Sequence, residues 1–391
     1  MTTEVDLALP SVALAPETET LRAEVRGFLA SERDAGRLVP HCDVWLSGWD
    51  EDFSRELGRR GWLGMTLPVD YGGRGRGALE RYVVTEELLA AGAPVAAHWI
   101  ADRQIGPSLL RFGTEYQKQH YLPRIAAGEC YFGIGMSEPD SGSDLASVRT
   151  KATRADGGWR LSGTKVWTSG AHHAHAFFAL ARSAPAEDRN RHVGLSQFIV
   201  ELDSPGVDVR PIHLLTGAHH FNEVVLDQVF VSDEMVLGEL GAGWHQVTSE
   251  LAFERSGPER FLSTFPLLTA LIGELSGAAD SLGAAGLREL GSLVSRVWTL
   301  RRLSLGIAAS LSSGLPADVP AALVKDLGTR YENEVIDAAR LLVSIPPDPG
   351  AEPASFARLL AESVLHAPGF TLRGGTNEIL RGVVARGLGL R

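Results

Sequence analysis

Four short stretches carry residue types whose spacing could do chemistry. In YFGIGMSEPDSGSDLASVRTKA, residues 131–152, small residues follow Met136. They let a backbone approach a flat ring or an anion, and successive N–H groups in such a loop can hold a pyrophosphate or the polar edge of a heterocycle. An ordinary acidic loop has the same composition. In KVWTSGA, residues 165–171, Trp167 could stack on a ring while the hydroxyls after it donate to a ring nitrogen; a core tryptophan is the alternative. In SELAFERSGPER, residues 249–260, Pro258 lacks an N–H and would leave the Glu254 carbonyl unbonded inside a helix. Either the backbone kinks there, or SGPE opens a fresh helix with Ser256 as cap and Glu259 as its capping-box partner. Both put Glu254 at an irregularity with apolar neighbours Leu251 and Phe253, a setting that suits a buried general base. A surface helix with Arg255 paired to Glu259 is the alternative. The fourth stretch, LRGGTNEILRG, residues 372–382, pairs two glycines ahead of a short amphipathic segment.

Other patterns fail. GIGMSE has only the first two glycines of a dinucleotide fingerprint, and GWRLSGTK reads G-T-K where a phosphate loop needs G-K-[ST], so a hairpin turn is preferred. No GxSxG elbow occurs. His172, His173, His175, His219 and His220 cluster without carboxylate or thiolate companions at fixed spacing, so packing or cavity lining is preferred and no metal is expected.

The elements that must position these residues fall into three runs. Helical spacing dominates residues 17–128, as in LRAEVRGFLASER with Leu21, Val25 and Leu29 on one stripe. Short β-branched or aromatic runs with turn signals ADGG and DSPG occupy residues 131–240. No helices intervene to make βαβ crossovers, so the sheet should be mostly antiparallel. Leu- and Ala-rich helices then return, at about 244–275, 286–313, 320–343, 354–366 and after Thr376, and suggest a bundle. The expected class is α+β: an N-terminal helical domain at 1–128 with a frayed tail to Pro16, a β domain at 129–241 and a C-terminal helical bundle at 242–391. A chain of 391 residues is long enough for several such units. Its net charge of −11 argues against a nucleic-acid surface. Cys42 and Cys130 form neither a zinc pair nor a disulfide framework, which fits a reducing, cytoplasmic compartment. The N-terminal stretch has no basic region of a signal peptide, and no apolar run approaches the ~20 residues of a membrane span.

Taken together, the chain resembles the acyl-CoA dehydrogenase family over nearly its whole length. GWLGMTLPVDYGGRG, MSEPDSGSD, GTKVWTSG, HHFNEVVLDQVFVSDEMVLGELGAGW and RGGTNEILRGVVARGLGL match family segments in the correct order. The resemblance implies FAD between the β domain and the bundle. It implies that Ser137, with Ile134, Met136 and Glu138, contacts the pyrimidine edge of the isoalloxazine, and that Trp167 packs on the ring, with Thr168 beside it and Ser169 near N5. Gly142 and Ser143 would reach the pyrophosphate, and Ser143 also the pantetheine chain of the substrate. Thr376 and Glu378 would touch the FAD phosphates or ribose. The implied reaction is α,β-desaturation of a thioester, with electrons leaving to an electron-transfer flavoprotein or another acceptor.

Many members carry the proton-abstracting carboxylate just before the GT of the C-terminal loop, where this chain has Gly374. A subset resembling isovaleryl- and long-chain-specific enzymes places it on the first long helix of the bundle. That alignment gives Glu254 as base, with Arg255 near the substrate and Gly374 and Gly375 lining it. Two family elements are missing. The segment AADSLGAAGLRELGSLV lacks the arginine–phenylalanine–glycine motif that contacts a neighbouring subunit's FAD, and SIPPDPGAEPASFARLL replaces a glutamine with paired glycines. Besides a homodimer or homotetramer, the resemblance therefore admits one subunit of a heteromeric dehydrogenase, catalytic or not, and a flavin monooxygenase on the same fold.

Overall fold

The computed structural model describes residues 9–187, 190–255, 257–277, 282–315 and 317–390, apart from the side chains of residues 250–255. Helices α1 (Pro16–Asp34), α2 (Val44–Ser47), α3 (Glu51–Arg59), α4 (Ala78–Ala90), α5 (Ala96–Ile100), α6 (Gly106–Phe112) and α7 (Glu115–Ala126) come first. Strands follow: β1 (Phe132–Gly135), β2 (Lys151–Ala155), β3 (Gly158–Ser169), β4 (Ala176–Arg182), β5 (Leu195–Glu201), β6 (Val207–Ile212), β7 (Phe221–Ser232) and β8 (Val236–Leu237). Helices α8 (Gly243–Arg255), α9 (Phe265–Ser276), α10 (Gly283–Ser312), α11 (Asp318–Leu342), α12 (Phe356–Phe370) and α13 (Asn377–Gly387) complete the chain. Two compact units interleave along it. One comprises Met1–Trp45, Gly77–Pro94 and Glu254–Arg391, the other Leu46–Arg76 and Val95–Phe253.

The second unit is built on one sheet of strand order β6-β7-β3-β2-β4-β5-β8, with β1 beside β4. Most pairings are antiparallel, as the alternation predicts. β1 and β4 run parallel, which a four-residue strand reading FGIG does not signal. β4 and β5 are buried over nearly their whole length, β4 as a near-continuous apolar run and β5 with Ser196 and Gln197 buried within it, whereas β6 alternates and carries Pro211 at the sheet edge, where a missing N–H costs no ladder bond. Thr114 caps α7 in a capping box with Gln117, whose amide donates to the carbonyls of Glu234 (2.6 Å) and Val236 (2.9 Å). Tyr121, Leu122 and Ile125 of this helix thereby meet Phe132, Phe178 and Ile199 in one core. Residues 101–105, between α5 and α6, form a π-helical turn in which the Asp102 carboxylate accepts the Gly64 N–H at 2.7 Å.

The first unit packs α1 and α4 with the later helices. Glu86 and Glu87 of α4 are buried yet paired. Glu86 accepts from Arg22 at 2.7 Å and from Arg301 at 2.7 Å, and Glu87 accepts from Arg22 and from Arg26. The single helix expected at 244–275 is two: α8 stops at Arg255, Gly257 is extended, and Pro258–Arg260 form a 3-10 turn before α9. Pro258 enforces that stop, because its ring and missing N–H cannot continue the ladder. Neither expected alternative is seen: the helix does not continue through a kink, and SGPE opens no fresh α-helix but leads into the 3-10 turn. Gly257 occupies the capping position, and Ser256 lies outside the described residues. Cys42 in the first unit and Cys130 in the second are free and buried. Burial pushes their thiols up to about 12 and about 11.

Candidate active site

The loop after β1 is held from behind by Glu138. Its carboxylate, 7 % exposed, accepts the N–H groups of Arg149 (2.6 Å) and Thr150 (2.9 Å) and the Lys165 ammonium (2.8 Å). Burial alone would raise this carboxyl, but the Lys165 charge and the donated bonds outweigh it and hold it low. On Lys165 burial prevails and moves the ammonium down to about 8. At neutral pH both groups are charged. The Glu138 N–H is also engaged, donating to Ser141 at 2.8 Å, so this residue braces the loop with both its backbone and its side chain. Ile134, Met136 and Ser137 are half-buried, and Gly142 and Ser143 are exposed. A Cβ on Gly142 would meet nothing.

β3 delivers the second group. Its register with β7 slips between Lys165 and Thr168, and Trp167 sits at φ 61° inside that bulge. Bulges re-aim side chains. The indole is 54 % exposed and meets Phe221 edge-on at 5.8 Å. Thr168 turns the other way and is buried, its hydroxyl without a partner among the described residues. Ser169, the last residue of the strand, is half-buried. The Val166 N–H donates to the Ser137 carbonyl at 2.9 Å and ties the loop to the end of β3. A flat aromatic surface, hydroxyls at Ser137 and Ser169 and an orphaned buried hydroxyl at Thr168 thus come from one loop and the strand end joined to it. This donor set fits a flavin, which offers a ring face and a polar edge.

Beside the loop after β1 lies a cavity of about 350 Å³ lined by Ser143, Asp144, Asn190, Arg191, His192 and Trp244. His192 stacks on the Trp244 indole with centroids 3.8 Å apart. Arg191 donates to Asp144 at 2.8 Å. Sequence reasoning missed Arg191, His192 and Trp244, since no local pattern links residue 192 to residue 244.

In the first unit, Gly374 and Gly375 form a turn with φ of 68° and 87°, conformations that a side chain strongly disfavours. Lys325, fully buried, donates to the Gly375 carbonyl at 2.6 Å. Thr376 caps α13, its hydroxyl accepting the Ile379 N–H at 3.4 Å. Glu378 is exposed in the first turn, and hydrogen bonds from the local backbone and Thr376 hold its carboxyl below the usual range. The side chains of Glu254 and Arg255 lie outside the described residues.

The histidines stack. His172 lies 4.0 Å from His219 and 4.0 Å from His173, and Asn222 bridges His172 (3.1 Å) and His219 (2.8 Å). Burial, with smaller contributions from His173 and His219, pushes the His172 imidazole down to about 4. Among the described residues, no group of three or more His, Cys, Asp or Glu is placed to hold a metal, and no helix is long and apolar enough to cross a membrane.

Residues 15–129 match the N-terminal domain of acyl-CoA dehydrogenases, and residues 133–229 match the middle domain. The acyl-CoA dehydrogenase IpdE1 of Mycobacterium tuberculosis is 33% identical over 96% of this chain and 98% of its own. The chain belongs to the acyl-CoA dehydrogenase family. Its members are FAD flavoproteins, oxidoreductases that act on CH–CH groups. Two solved acyl-CoA dehydrogenase structures are similar at 28% identity. The steroid enzyme Tcur3481-Tcur3483 has a TM-score of 0.82 and matches over 99% of each chain. The ChsE4-ChsE5 complex from M. tuberculosis has a TM-score of 0.80, covering 98% of this chain and 100% of that one.

Proposed function

We propose that this acyl-CoA dehydrogenase desaturates the Cα–Cβ bond of an acyl-CoA, with Glu254 as the base. The observation that carries the reading is the loop after β1 tied to the end of β3, which between them carry Ser137, Trp167 and Ser169. Ile134, Met136 and Glu138 support them, Gly142 and Ser143 extend them toward the pyrophosphate or pantetheine, and Thr376 and Glu378 serve the phosphates or ribose. Bound FAD supplies the acceptor for the β-hydride. The protein's part is to align the acyl chain, exclude water and remove the α-proton. With Gly374 unable to do so, the task falls to Glu254, beside Arg255. The cavity next to Ser143 supports CoA as carrier: an aromatic stack suits an adenine, and a guanidinium suits phosphate.

Glu254→Gln in the FAD-loaded protein tests the assignment. Anaerobic flavin bleaching by acyl-CoA should slow about 10²–10⁴-fold while flavin content is unchanged, the usual contribution of a general base. Bleaching at the wild-type rate would exclude Glu254. A second reading draws on the similarity to ChsE4-ChsE5 and to Tcur3481-Tcur3483, whose names each join two components. In it this chain is one subunit of a heteromer, with an electron-transfer flavoprotein as acceptor. Expression alone, followed by size-exclusion chromatography with flavin quantitation, separates a self-sufficient homo-oligomer from a chain that needs a partner.

A further inference from the structure

The structure assigns Asp43, Arg373 and Lys325 as positioning residues that fix the Gly374–Gly375 turn; the inference rests on the reading that this turn faces the substrate. Asp43 holds a left-handed backbone, φ 60°, and is 2 % exposed. A non-glycine residue in that region is strained and persists only where its surroundings over-determine it, and such strain gathers at functional sites. Here the restraint is explicit. The Asp43 N–H donates to the Ser263 carbonyl at 2.9 Å, and the Ser263 N–H donates to Glu332 at 2.9 Å. The Trp45 indole N–H reaches the Ser263 hydroxyl at 3.3 Å.

So held, the Asp43 carboxylate receives the Arg373 guanidinium in a two-pronged bond of 2.7 and 2.5 Å, and His366 approaches it at 3.2 Å. The guanidinium also lies over the Trp45 ring at 4.6 Å and over Phe370 at 5.2 Å. A paired, stacked guanidinium has little rotational freedom. Arg373 is the residue immediately before the turn, so fixing it fixes where the turn begins. Lys325 sets the far side through the Gly375 carbonyl. Asn377, whose N–H donates to Thr371 at 3.1 Å and whose amide meets Thr329 at 3.2 Å, sets the exit. Two consecutive glycines would otherwise be the freest residues in the region. Three separate restraints on so short a segment exceed what a chain connection needs and match what a substrate-facing backbone needs.

The test uses full-length, FAD-loaded protein carrying Asp43→Asn, Arg373→Gln or Lys325→Met, with Arg373→Lys as the variant that keeps the charge and loses the fork. Hydrogen–deuterium exchange is followed at residues 372–377, and flavin bleaching by acyl-CoA is followed in a stopped flow. Exchange at the turn should rise at least tenfold in each variant. The bleaching rate constant should fall at least tenfold, while half-saturation moves less than threefold and flavin content holds. Unchanged exchange at the turn overturns the assignment, as does a loosened turn that leaves the rate constant within threefold of wild type. Should Asp43→Asn fail to fold, Arg373→Lys decides by the same two readings. If wild type itself is not bleached by any acyl-CoA, the functional reading fails, and exchange alone still decides whether these residues hold the turn.

Discussion

Two buried ion pairs do similar work in the two units by different means. Glu138 and Lys165 brace the loop after β1, and Asp43 and Arg373 brace the turn before α13. Glu138 gathers two backbone N–H groups and an ammonium, all short, so the loop is held by saturating one acceptor. Asp43 instead forms a planar fork between aromatic rings and does so from a strained backbone. A point charge can hold a loop through whichever donors reach it, whereas a fork transmits orientation. The loop that would line a flat ring is secured in position; the turn that would face a reacting chain is also secured in direction.

The largest effect that separates the two should come from Lys165→Met. It strands a buried carboxylate and should cost about 3–5 kcal/mol in urea unfolding, most of it recovered when Glu138→Gln is added. A cost below about 1 kcal/mol would make the ammonium dispensable. Next comes a pH signature on the Asp43 side. Burial, opposed by Arg373, pushes the Glu332 carboxyl up to about 7 from an ordinary 4.5. A raised carboxyl stabilises the fold while protonated, so its contribution is full below the unfolded value and disappears as pH rises to 7 and beyond. Glu332→Gln should therefore add up to about 3 kcal/mol at pH 8 and little at pH 5, and parallel unfolding curves at both pH values would refute that. Asp43 and Glu138 run the other way. Burial opposes their ionisation, but Arg373 and Lys165 prevail and hold both carboxyls low, so their contributions are present above about pH 4 and lost as pH falls below it. The smallest effect belongs to Thr168→Val. With no partner among the described residues to lose, the flavin-free protein should keep its stability within about 1 kcal/mol, and a loss above about 2 kcal/mol would reveal a hidden partner.

The helix–strand–helix order was legible because period and punctuation changed together, at the β-branched runs and at the Gly and Pro clusters. The break after α8 was half legible: Pro258 announces an irregularity, but the apolar spacing resumes behind it and reads as one helix. In the candidate site, Trp167 could be found as an aromatic followed by hydroxyls. Its left-handed backbone could not, since it follows from a register slip against a strand more than 50 residues away. Asp43 carried no signal at all. Its partner lies 330 positions along the chain, and nothing in HCDVW distinguishes it from a surface aspartate. Long-range pairing of polar side chains leaves no periodicity for a single sequence to display.

The two thiols have a use that follows from where they sit. Each unit contains one, Cys42 or Cys130, and neither ionises readily or meets solvent. A maleimide should therefore ignore the native protein and modify each cysteine only when its own unit opens. Mass mapping of the labelled peptides against time would clock the two openings separately, with no engineered probe.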